Sequence, residues 1–119
     1  MNAKKLGIWG EKQALSYLKN KGYKLIDRNY HTHFGEIDLI MQNKDNLVFV
    51  EVKTRKGDKY GLAEEAITPR KIRLIIKSTQ YYQLTHPKLS ESIRIDLVAI
   101  NIDQVSSKVN IRHIKNISM

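Results

Sequence analysis

The spacing of apolar residues along the chain predicts two helices. Apolar and small side chains recur at helical spacing over residues 3–21, and Gly22 directly after them is a typical helix stop. A second helical pattern begins at Thr68, whose side chain can cap a helix, has Pro69 in the first helical position and ends near Leu84. The side chains expected on its buried stripe are Ile72, Ile75, Ile76 and Thr79.

Shorter apolar segments outside these helices predict strands. Residues 55–67 are polar and contain glycine, which predicts a mobile loop. The order α-β-β-β-α-β-β, with helices packed on a hairpin sheet, predicts an α/β or α+β fold. A length of 119 residues predicts one domain, 1–119. The predicted strands cover residues 24–31, 35–42, 47–54, 92–101 and 108–115, and the first of them is the weakest candidate.

The second and third predicted strands place charged residues opposite each other. Only the turn-forming residues 43–46 separate the two strands, so they are expected to form an antiparallel hairpin. A turn centred on this segment places Asp38 opposite Glu51 and Glu36 opposite Lys53. Directly opposed side chains lie about 5 Å apart at Cβ and share one face of the sheet. A shift of the turn by one residue would put Asp38 and Glu51 on opposite faces.

Two opposed carboxylates on apolar strands indicate a cation site. The pair repels itself, and a divalent cation between the two groups would remove that penalty, since hard oxygen ligands suit Mg²⁺. Lys53, two residues after Glu51, projects from the same face and could reach a phosphate oxygen or an attacking water. The structural alternatives are that Asp38 caps a strand end, that Glu51 pairs with Lys53 or Arg55, and that Glu36 and Lys53 form a cross-strand ion pair.

Other polar residues compete for a place in this site. Glu11 lies on the apolar stripe of the first helix, where a carboxylate either flanks the core or points into a site. Asp96, on a different predicted strand, is the main competitor for the metal role. His31 and His33 share one side of an extended segment and could hold zinc, although the sequence offers no obvious further ligands.

The charge balance indicates a polyanionic partner. Lys and Arg number 21 against 12 Asp and Glu, a net charge of +9, which favours nucleic acid first and an anionic membrane surface second. The chain has no cysteine, which excludes disulfides and thiolate metal sites. Its apolar runs are too short to span a bilayer, and its start lacks a signal-peptide pattern, so a cytoplasmic location is expected. On the second helix Arg70, Arg73 and Lys77 share one face with Lys71 close by, which is either a solvated face or a phosphate-tracking surface.

Four segments together resemble one known family. Gly10-Glu11, the run GEIDLI at 35–40, the run FVEVKTR at 49–55 and the run RIDLV at 94–98 are similar to the YraN-like family. That family resembles the archaeal Holliday junction resolvases of the restriction-endonuclease-like superfamily, which carries the PD-(D/E)xK signature. The resemblance covers nearly the whole chain in the order of its elements. Ile37 stands where the signature has proline.

The resemblance implies a fold and a set of roles. The fold would be a restriction-endonuclease-like mixed β-sheet flanked by helices, with the site at the edge of the sheet. Asp38 would be the Asp of the signature, Glu51 its second acid and Lys53 its catalytic lysine. Glu11 would be the helix acid of resolvase-like members, as an outer ligand or a ligand of a second ion.

The resulting interpretation is a Mg²⁺-dependent endonuclease that hydrolyses phosphodiester bonds in DNA, with Mn²⁺ as a substitute metal. Asp38, Glu51 and the backbone carbonyl of Val52 would bind the metal. Branched or Holliday-junction DNA fits the resemblance and would favour a symmetric homodimer, with the 55–67 loop closing over the DNA backbone. RNA stays open as a substrate, and the alternative function is a non-catalytic basic nucleic-acid-binding module. The expected nucleic-acid contacts are Arg55, Arg70, Lys71, Arg73 and Lys77.

Overall fold

The computed structural model describes residues 1–57 and 61–118 and contains every predicted helix and strand. The order α-β-β-β-α-β-β is confirmed, and each boundary lies within two residues of its predicted position. A one-turn 3₁₀ helix, Ala63–Ala66, is additional. The elements are α1 Ala3–Asn20, β1 Lys24–Thr32, β2 Gly35–Asn43, β3 Asn46–Lys56, α2 Pro69–Thr85, β4 Ile93–Ile102 and β5 Val109–Ile114.

The strands form one mixed sheet in the order β1-β2-β3-β4-β5. Neighbouring strands are antiparallel except β3 and β4, which run parallel and are connected through α2. The helices cover opposite faces, because Leu18 of α1 clusters with Val50 of β3 whereas Tyr82 of α2 clusters with Phe49. These layers confirm a mixed α/β fold and bury β3 at the centre of the sheet.

Gly10 sets the distance between α1 and the sheet. A Cβ atom at Gly10 would lie 1.9 Å from Oγ1 of Thr54 on β3, so any side chain there would clash with the strand. The hydroxyl of Thr54 is buried at this contact with no hydrogen-bond partner. The next helix residue, Glu11, accepts a hydrogen bond from the side chain of Asn29 on β1.

The buried stripe of α2 differs in part from its prediction. Ile75 and Thr79 are buried as expected, whereas Ile72 and Ile76 are only partly buried. Two further residues complete the buried side. Ser78 shares a 2.8 Å hydrogen bond with the hydroxyl of Thr32, and the ring of Tyr82 packs edge-on against Tyr30 and Phe49. The stripe is therefore more polar and aromatic than the apolar pattern indicated.

Much of the segment 55–67, which the sequence predicted to be a loop, forms regular secondary structure. β3 continues to Lys56, and the 3₁₀ helix buries Ala63 against Leu97 and Ala99 of β4. Arg112 of β5 holds this helix by donating to Glu64 over 2.8 Å, and that bond lowers the pKa of Glu64. Residues 58–60 lie outside the described part of the chain, and the mobility of the segment stays a prediction.

β1 is an edge strand with two irregularities. Its pairing with β2 shifts between Leu25 and Asp27. Asn29 has φ of 49°, in the left-handed region that asparagine tolerates better than most residues. In the register set by its neighbours, Asn29 lies opposite Asp38.

Neither described helix combines the length and the apolar content needed to cross a lipid bilayer.

Candidate active site

The β2–β3 hairpin has the predicted register. Its ladder pairs Ile40 with Phe49 and ends at the pair of Leu39 with Val50. The next residue on each strand carries a carboxylate, Asp38 on β2 and Glu51 on β3. Both residues are buried, with 8% and 5% of their surface exposed. The pair therefore lies where pairing ends between two interior strands of the sheet.

The side-chain alternation of β2 breaks at Asp38. Leu39 packs on the α1 side of the sheet, whereas Ile37 and Ile40 both pack on the α2 side, although strict alternation would separate them. The carboxylate of Asp38 turns towards β3 and accepts a 2.8 Å hydrogen bond from the backbone N–H of Val52. The strand therefore aims Asp38 at the space beside Glu51.

Two ammonium groups approach the carboxylate of Glu51. Nζ of Lys53 lies 3.7 Å and Nζ of Lys71 lies 3.9 Å from the same oxygen, Oε1. Lys53 projects from the face of Glu51, as its position two residues along the strand predicted. Lys71 reaches the site from the first turn of α2, whereas the sequence placed it only among the nucleic-acid contacts.

Burial makes the charge of this carboxyl pair costly. Burial, followed by repulsion from Glu51, raises the pKa of Asp38 to about 8 despite the hydrogen bond from Val52. Burial also raises the pKa of Glu51, although Lys71 and Lys53 oppose that rise. Burial and mutual repulsion therefore oppose ionisation of both carboxyl groups, and positive charge beside them favours it.

Glu11 and Glu36 extend the acidic cluster on the α1 side. The side-chain amide of Asn29 donates to both, over 2.8 Å to Oε1 of Glu11 and over 3.0 Å to Oε1 of Glu36. The negative charges of both glutamates contribute to the raised pKa of Asp38. They line an open cleft of about 540 Å³ between α1 and β1. The structure thus places Glu11 beside the predicted site, while Asn29 gave no signal in the sequence.

The ion pair between Glu36 and Lys53, considered as a structural alternative, does not form between these two residues. Glu36 instead accepts from Asn29 and lies 3.9 Å from Nε2 of His31. Because the β2–β3 ladder has already ended, Glu36 turns towards β1 and away from Lys53.

Asp96 takes no part in the site. It is fully buried and receives bonds from Arg94 over 2.8 Å and 2.9 Å, from Nε2 of His113 over 2.7 Å and from the backbone N–H of Asn116 over 3.0 Å. Burial alone would raise the pKa of Asp96, but the bonds from His113 and Arg94 outweigh it and lower that pKa. Its oxygens are therefore committed to a structural network that joins β4 to β5.

The basic residues of α2 form a surface that begins at the carboxylate pair. Arg70, Arg73 and Lys77 are exposed, and Lys71 is partly buried at the site. Nζ of Lys77 lies 5.6 Å from the ring centroid of Phe34 in the β1–β2 turn. We call the four basic residues the α2 basic face, and its contact with nucleic acid stays a prediction, as does that of Arg55.

The side chains available as ligands suit Mg²⁺ better than zinc. Within residues 1–57 and 61–118, no three side chains of His, Cys, Asp or Glu form a group that could hold a metal ion. The zinc site considered for His31 and His33 therefore finds no set of further ligands among these residues. Mg²⁺ is commonly bound by one or two carboxylates with waters and substrate phosphates, so the pair Asp38 and Glu51 fits that ion.

Comparison with known proteins shows the family of the chain. Residues 10–100 match the model of "Uncharacterised protein family UPF0102". A UPF0102 protein of Syntrophomonas wolfei is 46% identical over 113 residues, which cover 95% of this chain and 96% of that protein. Relatives of the same description from Persephonella marina and Alkaliphilus oremlandii are each 40% identical, over 92% and 95% of this chain and 90% and 97% of their own lengths. The chain belongs to the UPF0102 family, the YraN-like family that its motifs resemble.

Proposed function

We propose that the protein is a divalent-metal-dependent endonuclease that hydrolyses phosphodiester bonds in DNA. The observation that carries the proposal is the buried pair of Asp38 and Glu51, whose raised pKa values and mutual repulsion favour a cation between them. Lys53 beside the pair completes the D…ExK pattern of the restriction-endonuclease-like superfamily. The order of the elements, with a β2–β3 hairpin followed by α2 and the parallel strand β4, supports that assignment.

Asp38 and Glu51 would bind Mg²⁺, with the backbone carbonyl of Val52 as a third ligand. The hydrogen bond from the N–H of Val52 holds the carboxylate of Asp38 in place for this role. The chemistry that Mg²⁺ supplies at such a pair is polarisation of a phosphoryl oxygen and activation of water. Mn²⁺ would substitute, because it accepts the same oxygen ligands.

Lys53 and Glu11 act beside the metal ligands. The ammonium of Lys53, close to Glu51, orients the attacking water or stabilises the negative charge that develops on the phosphate. Glu11, oriented by Asn29, is an outer ligand or a ligand of a second ion. The cleft between α1 and β1 gives solvent access to this acidic side of the site.

The net charge of +9 and the α2 basic face support a nucleic-acid substrate recognised through its phosphates. Branched DNA, with a symmetric homodimer to engage it, follows from the resemblance to junction resolvases. RNA is the alternative substrate, since the sequence contains no base-reading motif that would decide between DNA and RNA.

A second candidate function is a non-catalytic basic module that binds nucleic acid. The observation in its favour is that no group of three metal-ligating side chains forms within the described residues. It accounts for the positive charge, but it gives no reason to bury two carboxylates together at a cost in stability.

The deciding experiment is a cleavage assay with Glu51→Ala and Lys53→Ala beside the wild type. Labelled four-way junction, flap, single-stranded and duplex DNA, with an RNA duplex, are incubated in Mg²⁺, Mn²⁺ or EDTA. The matched control is Glu91→Gln, which removes one exposed carboxylate away from the site. We expect metal-dependent cutting that both site variants lose, by at least about 10²-fold, while DNA affinity persists.

Two results would contradict the proposal. Cleavage by Glu51→Ala at the wild-type rate would show that the site is wrong. DNA binding without cutting by the wild type on every substrate and in both metals would establish the non-catalytic module.

A further inference from the structure

The first turn of α2 carries positive charge where helices normally carry negative charge. Pro69, Arg70 and Lys71 form this turn, and it contains no acidic residue. The backbone N–H groups of a helix N-terminus already favour anions, and acidic side chains stabilise that end whereas basic ones do not. The hydroxyl of Thr68 caps the turn by accepting a 3.1 Å bond from the N–H of Lys71. The fold therefore concentrates positive charge at one point at the expense of helix stability.

That point lies at the carboxylate pair. Nζ of Lys71 is 3.9 Å from Oε1 of Glu51, the oxygen that Lys53 also approaches. About a third of the Lys71 side chain is exposed, at 37%, whereas the side chain of Glu51 is 6% exposed. The carboxylate is thus held on the sheet, while the lysine approaches it from the solvent side on a flexible four-carbon stem.

A divalent cation bound by Asp38 and Glu51 would repel both ammonium groups. Lys53 is anchored on the same strand as Glu51, two residues away, and stays beside it. Lys71 comes from another element and is free to turn outwards, towards the side on which the exposed Arg70 also lies. A phosphate of bound nucleic acid is the anion that would meet it there.

We infer that Lys71 is a phosphate-positioning residue that exchanges partners. It neutralises Glu51 when the carboxylate pair holds no metal ion, and it binds a phosphate oxygen of the nucleic acid when the pair holds one. The inference rests on the metal-binding part of the proposed function, but it does not require turnover. This exchange of partners makes the protein bind nucleic acid more tightly when the carboxylate pair holds a metal ion.

The test compares DNA affinity in Ca²⁺ and in EDTA for the wild type, Lys71→Met and the conservative Lys71→Arg. Ca²⁺ takes the same oxygen ligands as Mg²⁺ with less demanding geometry, so binding is measured separately from cutting. The control is Lys88→Met, which removes one exposed positive charge after the end of α2. Dissociation constants on one labelled four-way junction are measured over a range of salt concentrations.

We expect the wild type to bind the junction more tightly in Ca²⁺ than in EDTA. Lys71→Met should weaken binding about tenfold in Ca²⁺ and reduce the salt slope there by about one, with neither change in EDTA. Lys71→Arg should retain most of the metal effect, and Lys88→Met all of it. Without DNA, Lys71→Met should bind Ca²⁺ at least as tightly as the wild type, since a competing positive charge has gone.

Three results would overturn the inference. The first is a wild type whose DNA affinity is the same in Ca²⁺ and in EDTA. The second is a loss of DNA affinity in Lys71→Met that is equally large in Ca²⁺ and in EDTA. The third is weaker Ca²⁺ binding by Lys71→Met without DNA, which would show that Lys71 only supports Glu51. Cleavage in Mg²⁺ is scored separately. The expected binding pattern from a wild type that never cuts would support the role of Lys71 and refute the proposed nuclease.

Discussion

Replacing Asp38 with asparagine should stabilise the protein while abolishing metal binding. Burial raises the pKa of Asp38 from 3.8 to about 8, so the folded protein binds this proton more tightly than the unfolded chain does. The stabilisation that this bound proton contributes is fully present below about pH 4 and is lost as pH rises towards 8. Asparagine carries no charge in either state and avoids this loss.

The size of the effect follows from the pKa shift. A pH of 7 lies about three units above the ordinary pKa of 3.8, and one unit corresponds to about 1.4 kcal/mol, so keeping the buried carboxyl group protonated costs the wild type on the order of 4 kcal/mol. Asparagine can still accept the bond from the N–H of Val52. Its own amide protons are buried without a known partner, which costs about 1–3 kcal/mol. The expected net gain at pH 7 is about 1–3 kcal/mol, or several degrees in Tm.

Thermal unfolding from pH 5 to pH 8 in EDTA measures this gain. The difference between Asp38→Asn and the wild type should grow with pH by on the order of 3 kcal/mol over that range. Added Mg²⁺ or Mn²⁺ should raise the Tm of the wild type, more at pH 8 than at pH 6 because protons compete for the ligands. Neither metal ion should change the Tm of Asp38→Asn. A variant less stable than the wild type at pH 7, or a gain that does not change with pH, would refute the reasoning.

Two further predictions concern stability. Gly10→Ala should destabilise the protein by about 1–3 kcal/mol, because its Cβ atom would meet Thr54. In the same helix, the Cβ atom of Gly7→Ala would meet nothing within 4 Å, so this variant should stabilise the protein by about 0.5–1 kcal/mol. Urea unfolding of both variants measures these changes, and equal effects would contradict the prediction. Asp96→Ala should cost about 3–5 kcal/mol in the same assay, because it leaves the partly buried Arg94 and the buried His113 without the carboxylate that they bind. A loss below about 1 kcal/mol would argue against a buried network.

The hairpin of the site could be predicted because its determinants are local. Four turn residues and a side-chain period of two were enough to predict the register up to the pair of Leu39 with Val50, directly before Asp38 and Glu51, and to place Lys53 on the face of Glu51. These residues are separated by at most fifteen positions in the sequence.

The remaining parts of the site depend on contacts between distant elements. The approach of Lys71 to Glu51 requires the position of α2 on the sheet, and the bridge between Glu11 and Glu36 requires Asn29 in a left-handed conformation. Basic residues at the start of a helix were the only available signal for Lys71. No pattern of apolar residues reports a backbone conformation such as that of Asn29.

Asp38 and Asp96 show why similar short sequences have different roles. Each stands in a run of the form Ile-Asp-Leu on an apolar strand, and the sequence alone left Asp96 as a competitor of Asp38 for the metal role. The structure separates them by their partners, since Asp96 has Arg94 on its own strand and His113 on β5. The arginine two residues earlier was a local signal for a structural ion pair, while the histidine could be found only in the folded sheet.

The shape of β1 limits how copies of this protein can associate. A regular edge strand offers unpaired N–H and C=O groups to the edge of another molecule, which is a common route to aggregation. The bulge between Leu25 and Asp27 and the left-handed Asn29 interrupt that row twice within nine residues. The irregular conformation beside Asp38 therefore also protects an exposed edge. A symmetric dimer of this protein is therefore not expected to continue its sheet across β1, which leaves the other edge strand, β5, the helices and the loops as its contacts.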